Sequence, residues 1–268
     1  MSLADERDNS GLFARWLPMR FLLLFCSLFA AFAQACDERP LRVYVSDWPP
    51  YMRLETPGEV PPQVTGIDAR ILKAVMAHAG CRFEWVEMPV ERASKALRSG
   101  QMDLMMAASR IPSRESWARF SRPYRDEVIE LVGDLGAAPR DSWLGLVNTN
   151  LRIMAPRSGW YGPAYEAARV PLIKAGRLVF MEDYDAGVAM LKAGRVDLVM
   201  GDSHALRDSS RRVGLVLSRP VLAPHRAPVH FMYSRRSVDR AVVQRLDASI
   251  QALHENGTLE RLQVDVLP

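Results

Sequence analysis

Lysine is nearly missing from this chain of 268 residues: Lys73, Lys95, Lys174 and Lys192 are all there is, among 35 basic residues. The formal net charge of +4 is carried by scattered arginines. No basic helix and no aromatic-basic stripe appears, which argues against a nucleic-acid surface. Histidine occurs five times, and His204, His225 and His230 show no metal spacing with acids or cysteine, so no metal is expected. There is no G-x-S-x-G elbow, no glycine-rich phosphate loop and no nucleophilic cysteine pattern. Those absences remove the common catalytic signatures and imply no cofactor. Long apolar runs are missing too, apart from one near the N-terminus that is too short to span a bilayer comfortably.

That run, "MRFLLLFCSLFAAFAQA" (Met19–Ala35), has Arg20, an apolar stretch, then small residues at Ala33 and Ala35. It reads as a secretory signal peptide ending in an A-x-A cleavage site. The polar residues before it do not resemble an n-region, so the start is read at Met19 and residues 1–35 as leader. The remainder is expected to be exported, soluble and periplasmic. Cys26 leaves with the leader, and Cys36 and Cys81 remain. Cys36 at the first mature position suits lipidation, but Ala33 and Gln34 fit a lipidation site poorly. Each of the two cysteines precedes a predicted strand (Leu41–Val45 and Arg82–Val86). In an oxidising compartment a bridge is favoured over a lipid anchor.

What the chain does have is a repeated phrase. "LRSGQMDLMMAAS" (Leu97–Ser109) returns as "LKAGRVDLVMGDS" (Leu191–Ser203) after 191 − 97 = 94 positions, without a gap. Each is a helix end, a glycine stop, then an apolar run with one acid inside it. Only the second ends on an acid, Asp202. Around the first copy, "LRVYVS", the helix "GIDARILKAVMAHAG", "CRFEWVEM" and the helix "VERASKALRSG" give a β-α-β-α-β rhythm. The helical stripe is Ile67, Ile71, Leu72, Val75, Met76 and Ala79. Around the second, "LRIMAP", "YGPAYEAARV", "RLVFME" and "DYDAGVAMLKAG" repeat the design. This alternation predicts two α/β units with parallel, helix-flanked sheets. The tail is a strand, "APVHFMYSRR", and a long helix with Val238, Val242, Leu246, Ile250 and Leu253 as its stripe. It is too small to be a domain and must return to one of the units.

Ligands of open parallel sheets bind beyond the carboxyl ends of the strands. The loops there carry Trp48 after the first strand, Ser109 and Arg114 after the first unit's third strand, and Asp202 after the second unit's third strand. A guanidinium suits a carboxylate and an aspartate suits an ammonium group, so the set suits a small zwitterion such as an α-amino acid. The plain alternatives are an Arg114–Glu115 surface pair, Asp202 as a helix cap and Trp48 as core.

The segments "LRVYVSDWPPY", "GIDARILKAV", "ALRSGQMDLMMAASRIPSRESWARFSRPY", "LKAGRVDLVMGDS" and "ENGTLERL" together resemble the extracellular solute-binding protein family 3, the polar amino-acid-binding components of ABC importers. The resemblance implies an α/β two-lobe periplasmic-binding-protein clamshell (type II), each lobe a mostly parallel helix-flanked sheet, joined by two hinge crossings near 124–131 and 227–234. It divides the chain into lobe 1 (36–127 plus 228–268) and lobe 2 (128–227). It implies that Ser109 and Arg114, with Ala107 beside them, hold a ligand carboxylate, that Asp202 holds its ammonium, and that Trp48 covers its side chain. Where the family commonly has Gly-Thr, this chain has "RSGWYG", leaving the backbone of Ser158, Gly159 and Trp160 as donors. Arg110 and Arg157 add cations near the mouth, which points to an acidic ligand side chain. The implied partners are an amino-acid ligand and an ABC permease of the inner membrane, with a monomeric, non-enzymatic binding protein. The rival readings are a dehydratase-like enzyme on the same fold, with Asp202 or His204 as candidate groups, and a sensor or interaction module.

Overall fold

The computed structural model describes residues 36, 39–137 and 141–264. The predicted leader lies outside them. The elements run in chain order: β1 (Leu41–Val45), β2 (Arg53–Leu54), β3 (Val64–Thr65), α1 (Ile67–Ala79), β4 (Phe83–Glu87), α2 (Val90–Ser99), β5 (Leu104–Ala108), α3 (Pro112–Glu115), β6 (Ala118–Gly133), β7 (Ile153–Pro156), α4 (Pro163–Lys174), β8 (Leu178–Met181), α5 (Tyr184–Lys192), β9 (Leu198–Asp202), α6 (Ser203–Val213), β10 (His225–Ser234), α7 (Arg240–Glu255) and α8 (Thr258–Val264).

One eight-stranded sheet runs in the order β4-β1-β5-β10-β6-β9-β7-β8. Its two ends are the predicted units: β4, β1 and β5 pair in parallel, as do β8, β7 and β9. Between them β10 and β6 run antiparallel to each other and to their outer neighbours. The 16 residues of β6 span about 50 Å at ~3.3 Å each, so this strand serves both halves. Its first part pairs with β10, and Ile129–Gly133 pair with β9.

Separate cores hold the halves. In the first, the whole predicted stripe of α1 is buried, and it packs with Val242, Leu246, Ile250 and Leu253 of α7. The tail therefore returns to the first half. Val238 is buried as predicted but precedes α7, whose N-cap position is Asp239. In the second half Leu146, Ile153, Ala155, Tyr165, Leu172, Leu198 and Met200 form the main cluster. Both α1 and α2 end on a glycine in the left-handed region, Gly80 (φ 65°) and Gly100 (φ 86°), where a Cβ is penalised.

The repeated phrase is a repeated joint. Asp103 Oδ2 accepts from the backbone N–H of Arg42 (2.8 Å), and Arg42 Nη2 donates to the Gly100 carbonyl (2.7 Å). In the second copy Asp197 Oδ2 accepts from Arg152 N–H (2.7 Å), and Arg152 Nη2 donates to the Gly194 carbonyl (3.0 Å). In each half the internal acid thus ties the third strand to the start of the first. Asp103 is fully buried. Burial opposes its charge, yet hydrogen bonds from Arg39, Arg42 and Ser237 hold its carboxyl well below the usual carboxylate range.

Because β1 and β4 are parallel neighbours with Leu41 opposite Phe83, the segments before them start at the same sheet edge. Cys36 and Cys81 are bridged there, with Cα atoms 5.1 Å apart. Closing a 45-residue separation should stabilise by about 4 kcal/mol in the chain-entropy account. Cys36→Ser is expected to lower unfolding free energy by that order in urea titrations under oxidising conditions. The gap should vanish when both proteins are reduced.

Candidate functional site

The strand ends of both halves converge on a buried polar seam. Asp202, at the end of β9, is 1% exposed. Its Oδ1 caps α6 by accepting from the N–H groups of His204 (2.9 Å) and Ala205 (3.1 Å). It also accepts from Tyr51 Oη (2.8 Å), a side chain of the first half. The capping alternative is therefore met by one oxygen. The other, Oδ2, is buried with no hydrogen-bond partner among the described residues. An unpaired carboxylate oxygen in such a place costs roughly 1–3 kcal/mol or more, a cost that a donor would relieve.

Gly201 precedes Asp202 and corresponds by the 94-residue offset to Ala107. A Cβ at Gly201 would collide with the Tyr184 ring, and the Tyr184 hydroxyl accepts the Asp202 N–H (3.2 Å). Burial pushes the Tyr51 and Tyr184 phenols up, so both remain hydroxyl donors. Ala107 has φ 51°, a left-handed backbone that costs a non-glycine residue about 1 kcal/mol or more. Its N–H is taken by Tyr124 Oη (3.0 Å). The turn leads to Ser109, 6% exposed, whose hydroxyl reaches the Trp160 carbonyl of the other half (3.3 Å).

Pro112 opens α3 at its first turn, which sets Arg114 beside this strand end. Arg114 is half-buried and donates to the Ser109 carbonyl (3.0 Å). The alternative, a surface pair with Glu115, is not formed, since Arg110 Nε takes Glu115 (2.5 Å). Burial lowers the Arg114 pKa from its ordinary value, with Tyr161, Glu166 and Glu127 opposing. It is a desolvated cation with no acid in salt-bridge contact among the described residues. Arg157 in turn pairs with Glu182 (2.8 Å). Both mouth cations are thus matched by local acids, which removes the support for an acidic ligand side chain.

Trp48 packs on Tyr51 with ring centroids 4.7 Å apart and the planes tilted by 38°. It packs against the first core and faces the seam at once. In the "RSGWYG" loop, the Ser158 hydroxyl donates to Glu91 of the first half. Gly159 has φ 123°, and a Cβ there would strike the Tyr161 ring. The Trp160 ring packs edge-on against His225 at 5.4 Å. His204 lies beside Asp202 with its ring edge-on to Tyr51 at 6.4 Å. Burial lowers its pKa against the pull of Asp202.

Residues that the sequence reading did not single out complete the seam. Arg125 of β6 holds Asp68 of α1 with two bonds, Nε to Oδ1 (2.7 Å) and Nη2 to Oδ2 (2.9 Å). The Tyr124 hydroxyl donates to the same carboxylate (2.9 Å), and the Tyr51 ring lies 3.9 Å from the guanidinium. Desolvation works against the Arg125 charge, but Asp68, Tyr124 and Tyr51 together outweigh it and hold the pKa above the ordinary value. Arg125→Ala is expected to cost about 3–5 kcal/mol in urea unfolding, because it leaves Asp68 buried without its cation. Glu127, two residues further on, is 8% exposed. Burial and then the Asp202 charge push its carboxyl up to about 8. The signal for both was an alternation of charge, "YRDEVIE", inside a strand long enough to serve two halves.

The chain matches the family described as bacterial extracellular solute-binding proteins, family 3, over residues 41–265, and it belongs to that family. Among solved structures it is similar to an arginine-, lysine-, histidine-binding protein from Geobacillus stearothermophilus (16% identity, TM-score 0.69, covering 85% of this chain and 95% of that one). It is also similar to an ancestral amino-acid-binding protein, a precursor of cyclohexadienyl dehydratase (20%, TM-score 0.68, 85% and 95%). A histidine kinase sensor domain with similarity to periplasmic binding proteins matches equally well (17%, TM-score 0.70, 85% and 96%). No curated protein matches the sequence. The fold is the two-lobe, type II clamshell of periplasmic binding proteins, and the protein is a solute-binding protein of family 3. Among the described residues no helix is long and apolar enough to cross a membrane.

Proposed function

We propose that this protein captures a free amino acid, or a close zwitterionic analogue, between its two lobes and releases it unchanged. The observation that carries the reading is a charge pairing across the seam. Arg114, desolvated and without an acid in salt-bridge contact, belongs to the first half, and Asp202 Oδ2, buried and unpartnered, to the second. Both lie near enough to Glu127 to shift its ionisation in opposite directions. Ser109 and Arg114 receive the carboxylate, beside Ala107. Asp202 receives the ammonium group. Trp48 and the Ser158–Gly159–Trp160 loop close over the rest. Amino-acid binding by two of the structural relatives supports the ligand class.

In this reading the lobes are 36–127 plus 228–268 and 128–227. The hinge lies where β6 and β10 run side by side between the two parallel sets. Contacts made with both walls favour the closed form. Residues 1–35 direct export to the periplasm, and a monomer delivers its ligand to an ABC permease of the inner membrane. Similarity to a kinase sensor domain supports a second role, ligand detection.

A thermal-shift screen of the purified protein across the common amino acids tests the proposal. A ligand at 100 times its Kd stabilises by about 2.7 kcal/mol, a clear rise in Tm. No shift with any amino acid would sink the reading in favour of an interaction module. Chemical conversion of a bound ligand on incubation would favour the enzyme.

A further inference from the structure

The proposed amino-acid site gives Glu127 no contact, yet this residue lies in the seam with Asp202 and Arg114. Register fixes its place. Ile129 of β6 lies opposite Asp202 of β9, opposed residues share a sheet face, and so do residues two apart on one strand. Arg125, Glu127 and Asp202 therefore stand on one face. Glu127 and Asp202 are diagonal neighbours, a relation that puts backbones about 7–8 Å apart. Both residues are more than nine-tenths buried. Among the described residues the Glu127 carboxyl makes no hydrogen bond or ion pair.

The charges around it can be counted. From α1, Asp68 is neutralised by Arg125 of β6 itself. From β9 comes Asp202, and from α3 comes Arg114. From the second half Tyr161 and Tyr184 also feel the Glu127 charge, and burial keeps both as neutral phenols. His204 on α6, and His225 of β10, which lies opposite Ile129 and so diagonal to Glu127, are pushed toward their neutral forms by burial. Nearby acids are otherwise spent: Glu130 pairs with Arg207 and Glu166 with Arg169. Once Glu127 is ionised, one guanidinium faces two carboxylates, which leaves the closed seam one positive charge short.

We infer that the cleft selects an amino acid of net charge +1, whose carboxylate meets Arg114, whose α-ammonium meets Asp202, and whose distal cation is taken by Glu127. This rests on the proposed amino-acid site and adds the residue that reads the side chain. Without ligand, Glu127 holds a proton up to about pH 8. A cation beside it favours the ionised form, so binding expels that proton. Affinity for a cationic ligand consequently rises between pH 6 and 8, by at most about tenfold per unit.

L-arginine and its neutral isostere L-citrulline separate the outcomes by isothermal titration calorimetry at pH 6, 7 and 8. The expected result is a preference for arginine of about 10- to 100-fold at pH 8, shrinking toward pH 6, with proton release visible as a buffer-dependent enthalpy. Glu127→Gln, whose amide fits the same space, should bring the preference close to unity and lose the proton release. Equal affinities in the unaltered protein overturn the inference. So does a preference that survives Glu127→Gln. If neutral amino acids bind and cationic ones do not, the amino-acid site stands and the role of Glu127 falls. If no amino acid binds at all, both fall.

Discussion

Arg114→Ala is expected to weaken ligand binding by about 100-fold or more while leaving unfolding stability nearly unchanged. The first half follows from the strength of charge-assisted hydrogen bonds, roughly 1.5–3 kcal/mol each. Two from one guanidinium fork exceed the 2.7 kcal/mol that corresponds to about 100-fold. A carboxylate closed into the seam without that cation would also bear its own desolvation cost. The second half follows from what Arg114 touches. Among the described residues its side chain makes one hydrogen bond, to the Ser109 carbonyl, and it belongs to a four-residue helix with no buried residue. Burial already disfavours its charge, so its loss removes a cost as well as a contact. Calorimetric titration gives the affinity and a urea titration gives the stability. Unchanged affinity would remove Arg114 from the site, and lost stability would make the binding result uninterpretable as chemistry.

The second large effect concerns Asp202, where two substitutions divide two roles. Asn is as good a helix cap as Asp, and its amide oxygen can accept from His204 N–H, Ala205 N–H and Tyr51. Asp202→Asn should therefore keep stability within about 1 kcal/mol. It removes the charge opposite the ligand ammonium, so affinity should fall about 10- to 100-fold, the worth of a hydrogen bond to a charged group. Asp202→Ala takes away the cap as well. It leaves the buried Tyr51 hydroxyl without its acceptor, and should cost about 1–3 kcal/mol in stability. If Asn and Ala variants bind equally to the unaltered protein, the carboxylate serves only α6, and the capping role exhausts its function. If Asn alone abolishes binding at constant Tm, the ligand role is separate from the structural one.

The repeated phrase shows how far a local pattern reaches. Its glycine stops, its apolar strands and its paired acids Asp103 and Asp197 recur in space as the same joint in both halves. Helix stripes such as Ile67–Ala79 were legible because burial on one face imposes a 3.6-residue period regardless of partner. The cysteine bridge was legible from the oxidising compartment and from each cysteine preceding a strand, while the parallel pairing of β1 and β4 that brings them together is seen only in the fold. The seam was less so. Trp48, Ser109, Arg114 and Asp202 could be singled out because each follows a strand end, a position that topology alone marks. Tyr51 could not, because its meaning is a bond to Asp202 across 151 positions. Nor could the fate of Arg110 and Arg157, which depended on Glu115 and Glu182 being in reach.

By itself the sequence determined the α/β alternation, its doubling, the strand ends at which chemistry collects and the family to which the chain belongs. These depend on periodicity and local backbone preference, which a chain carries wherever it goes. Only the tertiary structure decided which charges are spent and which are free. It paired Arg125 with Asp68, left Asp202 Oδ2 unmatched, and raised Glu127 between them. The cost of a charge is set by the dielectric and the partners around it, and those come from residues far apart in the chain.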